Sequence, residues 1–293
     1  MYATSRPVEK RKRKLLVLIP FSTISTAPSL REKTIIVGRI ARALAIFRVD
    51  EVILYKDPFI HNKDDERIFM DILEYLCIPP YLRKKVVPIK NTLKYVGILN
   101  PLQIVATHTA SCKAVEGEIR AGLVLSLSKH QLVLDIGIEN EITVQIDNEL
   151  WKILNVGDIV LVRITKTNPI RVSVLTNHNY YTGYKVKVTN NLKEYLEYLK
   201  ANKILLIATS RYGQYVRDVE HQLRKDYQKS KGIALIFGSP RKGLLEIFPK
   251  LGIRLNNINY MINLIMSQGV RTIRTEEALI IALAIIDYIT KGS

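Results

Sequence analysis

The chain has 293 residues, too many for one small domain and comfortable for two. An apolar fraction of 47% rules out a disordered chain, and a net charge of +17, from 44 Lys and Arg against 27 Asp and Glu, points to a polyanionic partner, nucleic acid before an anionic membrane surface. The longest apolar run, residues 278–286, falls far short of a membrane span. The basic residues Arg6 and 10–14 precede only a six-residue apolar strand, which is no signal peptide, and Cys77 and Cys112 lack metal-ligand spacing. The expectation is a soluble, cytoplasmic protein with reduced thiols.

KLLVLIP (residues 14–20) is a short apolar run closed by proline and predicts a buried strand. FSTISTAPS (21–29) is a hydroxyl-rich loop. LREKTIIVGRIARALAIF (30–47) has helical apolar spacing with arginines on the other face, and DEVILYK (50–56) is again strand-like. Strand, helix, strand is the pattern of a parallel sheet. DDERIFMDILEYLCI (64–78) predicts a helix whose N-terminal acids suit the dipole, stopped by Pro79 and Pro80. Between 116 and 176 the texture changes to β-branched runs separated by Gly, Asn, Asp and Lys turns. Five strands are expected there, in a small OB-like barrel or a small β-sandwich. From about 180 the α/β rhythm returns: a helix in NLKEYLEYLK, a strand in KILLIATS (203–210), a helix in QYVRDVEHQLRKD, strands in GIALIFGSP (232–240) and INYMINLIMSQG (258–269), and a last helix. The expected organisation is an α/β domain over 1–100 and 180–293, interrupted by a barrel over 101–179.

Charge is unevenly spread. Between 113 and 176 seven basic side chains face eight acids, so that stretch stands at −1 and the remainder at +18, and Trp151 is its single aromatic. A barrel that grips single strands offers a basic groove and stacking rings. Phosphate contacts are therefore expected from the α/β parts, whose basic clusters are 10–14, 81–94 and 224–231, although a solvated face is the default reading of any one cluster.

Three strands end in small polar loops: ATSRYG (208–213), FGSPRKG (237–243) and MSQGVRTIRTE (266–276). Ligands of open parallel sheets sit beyond the carboxyl ends of the strands, and Gly213, Gly238, Gly243 and Gly269 would let backbone approach one closely. No phosphate-loop lysine pattern, GxGxxG or GxSxG is present, and the five histidines are scattered and read as surface or loop residues. What is left is chemistry carried by a cofactor that the protein positions.

VGRIARALAIFRVDEVIL (37–54), LIFGSPRKGL (235–244) and INLIMSQGVRTIRTEEALIIAL (262–283) resemble, in order, the three motifs of SPOUT-class RNA methyltransferases. The third is most similar to the branch that methylates N3 of uridine in ribosomal RNA, and nearly the whole chain is similar to archaeal and eukaryotic members with an OB-like insert. The resemblance implies a parallel-sheet domain whose C-terminal strands form a trefoil knot around S-adenosylmethionine. It also implies a homodimer with the knot and last helix at its interface, and RNA, ribosomal in this branch, as substrate. It places Thr209 and Ser210 in the first cofactor loop, Gly238, Ser239 and Gly243 in the second, and Ile265, Gln268, Gly269, Thr272, Ile273 and Thr275 in the third. Pro240 departs from the family pattern, standing where many relatives carry a glutamate.

Methylating an imide nitrogen requires loss of its proton, and a guanidinium would stabilise the resulting anion. Arg42, Arg271, Arg274 and Arg31 are the candidates. Arg42 reads equally as an exposed helix residue, Arg271 as a clamp on a carboxylate or phosphate, and Arg31 as a solvated helix-start residue. A non-catalytic RNA-binding or assembly protein retaining this fold is the alternative. Thr275 is the expected N-cap of the last helix, with Glu276 and Glu277 complementing its dipole and 278–286 buried all round.

Overall fold

A computed structural model describes residues 7–108 and 113–290; Arg6 and Cys112 lie outside them. The chain divides into two compact units, one formed by Arg11–Glu74, Asn91–Asn100 and the chain from Gly183 on, the other by the chain up to Lys10, Tyr75–Lys90 and Pro101–Thr182.

In the first unit six described strands form one parallel sheet: β1 (Lys14–Pro20), β2 (Glu51–Tyr55), β8 (Lys185–Thr189), β9 (Ile204–Tyr215), β10 (Gly232–Ile236) and β11 (Tyr260–Asn263), in the order β11-β9-β10-β1-β2-β8. The apolar runs of β1 and β10 are continuous because these strands are central and covered on both faces. Helices α1 (Leu30–Ile46), α2 (Lys63–Cys77), α5 (Leu192–Ala201), α6 (Val216–Lys229), α7 (Leu244–Lys250) and α8 (Thr275–Thr290) connect or follow them. One face of the sheet packs Leu16, Leu18 and Ile236 against Leu196, Ile247 and Phe248. α1 starts at a capping box in which the Ser29 hydroxyl accepts from the Glu32 N–H and Glu32 accepts in return. α1 packs on α8.

The expected basic cluster 10–14 is partly structural. The Arg11 guanidinium donates to Asp287 Oδ1 at 2.8 Å and to the Thr290 hydroxyl at 2.6 Å, and its side chain is 7% exposed. Arg13 donates to the carbonyls of Ser230 and Gln228 and lies over the Tyr227 ring.

In the second unit, five described strands form an antiparallel sheet: β3 (Ile119–Leu127), β4 (Gln131–Asp135), β5 (Ile142–Gln145), β6 (Ile159–Thr167) and β7 (Ile170–Val174), ordered β5-β4-β3-β6-β7. Its outer strands β5 and β7 approach each other, so the sheet curls almost closed. The short helices α3 (Arg83–Val86) and α4 (Asn148–Ile153) belong to this unit. Segment 81–94, read as a basic cluster, is again partly structural: the Tyr81 hydroxyl exchanges hydrogen bonds with the backbone of Ala121, Arg83 donates to the Ile78 and Leu76 carbonyls, and Lys85 pairs with Asp135. His108, read as a surface or loop residue, lies outside any helix or strand but is buried: its ring nitrogens meet the Thr107 hydroxyl at 2.9 Å and the Leu76 carbonyl at 3.1 Å. Burial pushes its pKa down to about 4, with the Arg83 charge adding to the effect.

Candidate active site

The three polar loops meet at the carboxyl ends of β9, β10 and β11, where they enclose a half-open cavity of about 520 Å³, a size typical of small-ligand sites. The first loop is not a simple strand end. Met261 of β11 pairs with Ala208 while the next residue, Ile262, pairs with Gln214, so residues 209–213 bulge out of a ladder that then resumes. Gly213 closes the bulge against the neighbouring strand, where a Cβ would stand 2.6 Å from the Met261 carbonyl oxygen. Thr209 donates from its hydroxyl to the Ile236 carbonyl at 3.1 Å, and Ser210 Oγ accepts from the Tyr212 N–H.

The second loop is pinned at both ends. The buried Tyr55 hydroxyl donates to the Phe237 carbonyl at 2.5 Å, and burial holds that phenol well above its ordinary pKa, so it stays a donor. Ser239 closes a turn: its N–H and hydroxyl donate to the Lys242 carbonyl, and its oxygen accepts the Lys242 N–H. Glu246 accepts from the Gly243 N–H and pairs with Lys242 at 2.7 Å; that pairing, helped by the Gly243 N–H, holds its pKa below the usual carboxylate range.

The third loop is tied to the first by Asn263, whose side chain donates to the Arg211 carbonyl and accepts from the Ile265 N–H. The Arg211 guanidinium returns the tie by donating to the Arg271 carbonyl at 3.0 Å. α8 then begins at Thr275, but Arg274, not Thr275, occupies the cap position. Its carbonyl accepts from the Ala278 N–H and its own N–H donates to Glu277 Oε2. Ile280 and Tyr288 of this helix are exposed in the single chain.

Thr209, Ser210, Gly238, Ser239, Gly243, Ile265, Gln268, Thr272, Ile273 and Thr275 all line the cavity, as does Arg271. Gly269 and Arg274 lie outside its wall, although in the same loop. Arg31 and Arg42 are exposed on α1, outside the wall. Sequence reasoning passed over four residues of the wall that organise it: Arg211, Tyr212, Asn263 and Lys242. The first two stood in the quoted loop ATSRYG, where an arginine and a tyrosine amid small residues were the available signal. Among the described residues there is no group of three or more His, Cys, Asp or Glu able to hold a metal ion, and no helix long and apolar enough to cross a membrane.

Chemically, the wall combines an apolar floor (Phe237, Leu244, Ile262, Ile281) with hydroxyls and the guanidiniums of Arg211, Arg241 and Arg271. Such a lining suits a ligand with a flat apolar body and charged ends.

The family model described as "Putative RNA methyltransferase" matches residues 14–286. An uncharacterized protein of Haloarcula marismortui is 30% identical over 278 residues, spanning 91% of this chain and 96% of that one. The 28S rRNA (uridine-N(3))-methyltransferases of Mus musculus and Homo sapiens are 27% and 29% identical over 303 and 304 residues, each spanning 92% of this chain and 75% and 77% of theirs.

Proposed function

The chain belongs to the family of RNA methyltransferases whose model spans residues 14–286, and from that membership we propose that it methylates ribosomal RNA at N3 of a uridine, with S-adenosylmethionine as the methyl donor. The observation that carries this reading is the meeting of three separate loops around one cavity of about 520 Å³ at the carboxyl edge of the parallel sheet. The similarity to two 28S rRNA (uridine-N(3))-methyltransferases over 92% of the chain supports the nucleotide.

When bound, S-adenosylmethionine supplies an electrophilic methyl group on a sulfonium. The apolar floor formed by Phe237, Leu244 and Ile281 would cover its adenine, and the Thr209 and Ser210 hydroxyls and the backbone of 238–243 would take its polar groups. Gln268, Thr272, Ile273, Ile265 and Thr275 would close the third side. Arg271, the candidate arginine in the wall, would hold the anion that the base becomes when its imide proton leaves, or clamp the donor's carboxylate. Arg42 and Arg31, standing on α1, would reach a reacting base only across a subunit contact of the expected homodimer, for which the exposed Ile280 and Tyr288 of α8 offer apolar surface. We read the nearly closed antiparallel sheet as an OB-like insert over 101–179, the loops around the cavity as a trefoil knot, and the setting as cytoplasmic.

Calorimetric titration with S-adenosylmethionine tests the proposal. Saturable binding is expected, and Arg271→Ala should lower the methylation rate at least about tenfold. A chain that binds none of it would be an RNA-binding or assembly protein instead. Nucleoside mass spectrometry of ribosomal RNA with and without the gene tests the target, and an unchanged methyluridine level would overturn the uridine assignment.

A further inference from the structure

Two exposed aromatic rings stand in or beside the cavity wall, and each has a cation against it. Tyr212 lines the cavity yet is 69% exposed. The Arg211 guanidinium lies 4.8 Å from its ring centroid and donates to its hydroxyl at 2.7 Å. Arg211 is itself fixed through the Arg271 carbonyl and, at its own carbonyl, through Asn263. The ring is therefore held out from the protein by a braced side chain.

Phe59, in the loop between β2 and α2, lies outside the wall but beside one of its residues. It is 44% exposed, while the other five phenylalanines are buried or half-buried. The ammonium of Lys242, a residue of the cavity wall, lies 5.7 Å from its ring centroid. Its backbone is braced as well. The buried Asp57 carboxylate accepts the Phe59 N–H at 2.8 Å with one oxygen and the Ser22 hydroxyl at 2.6 Å with the other. Exposing a phenylalanine on a rigid loop forgoes the stabilisation of burying it, and nothing in the packing of this unit requires that.

Stacking of bases on exposed rings, with cations alongside for phosphate, is the general mode by which proteins hold single-stranded nucleic acid. We propose that a single-stranded RNA segment crosses the mouth of this cavity with bases stacked on Tyr212 and Phe59, Arg211 and Lys242 meeting its phosphates. The inference deepens the reading of the cavity as a methyl-donor site and rests on it: the rings place unpaired nucleotides where a methyl group would be delivered.

The test uses the full chain, a fluorescein-labelled single-stranded oligouridylate, and an abasic ribose-phosphate oligomer of the same length. Tyr212→Ala and Phe59→Ala should each weaken oligouridylate binding roughly tenfold, while Tyr212→Phe and Phe59→Tyr, which keep the ring, should bind nearly as the parent does. Binding of the abasic oligomer should be unchanged in all four, and binding of S-adenosylmethionine unchanged in the two Phe59 variants. Three results would overturn the proposal: a parent chain that binds oligouridylate no tighter than the abasic oligomer, alanine variants that bind oligouridylate as the parent does, or a loss of S-adenosylmethionine affinity in Phe59→Ala, which would assign that ring to the donor. Failure of the underlying methyltransferase reading looks different, since the parent chain would then bind no S-adenosylmethionine.

Discussion

Tyr55 touches the cavity loops through one hydrogen bond and Asn263 through two, and their value lies in what would be stranded without them. The Tyr55 hydroxyl satisfies the Phe237 carbonyl inside the core. Tyr55→Phe leaves that carbonyl buried and unpaired, which should cost about 1–3 kcal/mol in urea denaturation and loosen the second loop. Asn263 joins the first loop to the third. Asn263→Ala should lower S-adenosylmethionine affinity by about tenfold, with a stability loss on the order of 1 kcal/mol; calorimetry and denaturation read the two effects separately. Neither residue was legible as a site residue, because a tyrosine at the end of an apolar strand and an asparagine inside an apolar run look like a core ring and a strand terminator. Thr209, Ser239 and Thr272 were singled out instead through the resemblance of their loops to the motifs of a known family.

Among the elements, the central strands were readable because burial on both faces leaves an unbroken apolar run, as in β1 and β10. β9 was not. Its sequence turns polar at Thr209 and signals an end, yet the strand resumes at Gln214 once the bulge has closed. What permits the bulge is a missing side chain at Gly213. Gly213→Ala would push a methyl group to within 2.6 Å of the Met261 carbonyl oxygen, and backbone on both sides has nowhere to yield. The expected outcome is a loss of at least about 2 kcal/mol together with donor binding, seen as a lowered Tm that S-adenosylmethionine no longer raises. The start of α8 shows a subtler limit. Thr275 has the preferred chemistry of a cap, but Glu277 fixes the register by accepting from Arg274, so the helix begins one residue earlier than the preference suggests.

Over the whole molecule, the total charge was a good guide to the class of partner and a poor guide to which arginines meet it. Arg11, Arg13 and Arg83 are spent on carbonyls, a carboxylate and ring faces. The sequence could not reveal this for Arg11 and Arg13, because their partners lie far along the chain: Asp287 is 276 positions from Arg11 and Ser230 is 217 from Arg13. His108 gives the antiparallel unit a pH dependence of predictable sign. Its folded pKa of about 4 lies below the ordinary 6.5, so the unfolded chain binds the extra proton. The stabilisation is complete above pH 6.5 and is lost as pH falls towards 4, by on the order of 3 kcal/mol. Denaturation midpoints across that window should fall for the parent chain and less steeply for His108→Gln.

The Arg11 guanidinium carries one last consequence, for anyone who shortens this protein. The family match ends at 286 and begins at 14, so a fragment cut to those limits discards Arg11, Asp287 and Thr290 together. Cutting both ends removes a cation and its carboxylate in one stroke, which is electrostatically mild. Cutting only the front takes the Arg11 cation from the Asp287 carboxylate, 12% exposed, and should lower stability by on the order of 3 kcal/mol. Cutting the end as well also removes Ile289, 1% exposed, from the last turn of α8, so each cut should lower the Tm in turn and a fragment meant to stay folded has to reach past both family limits.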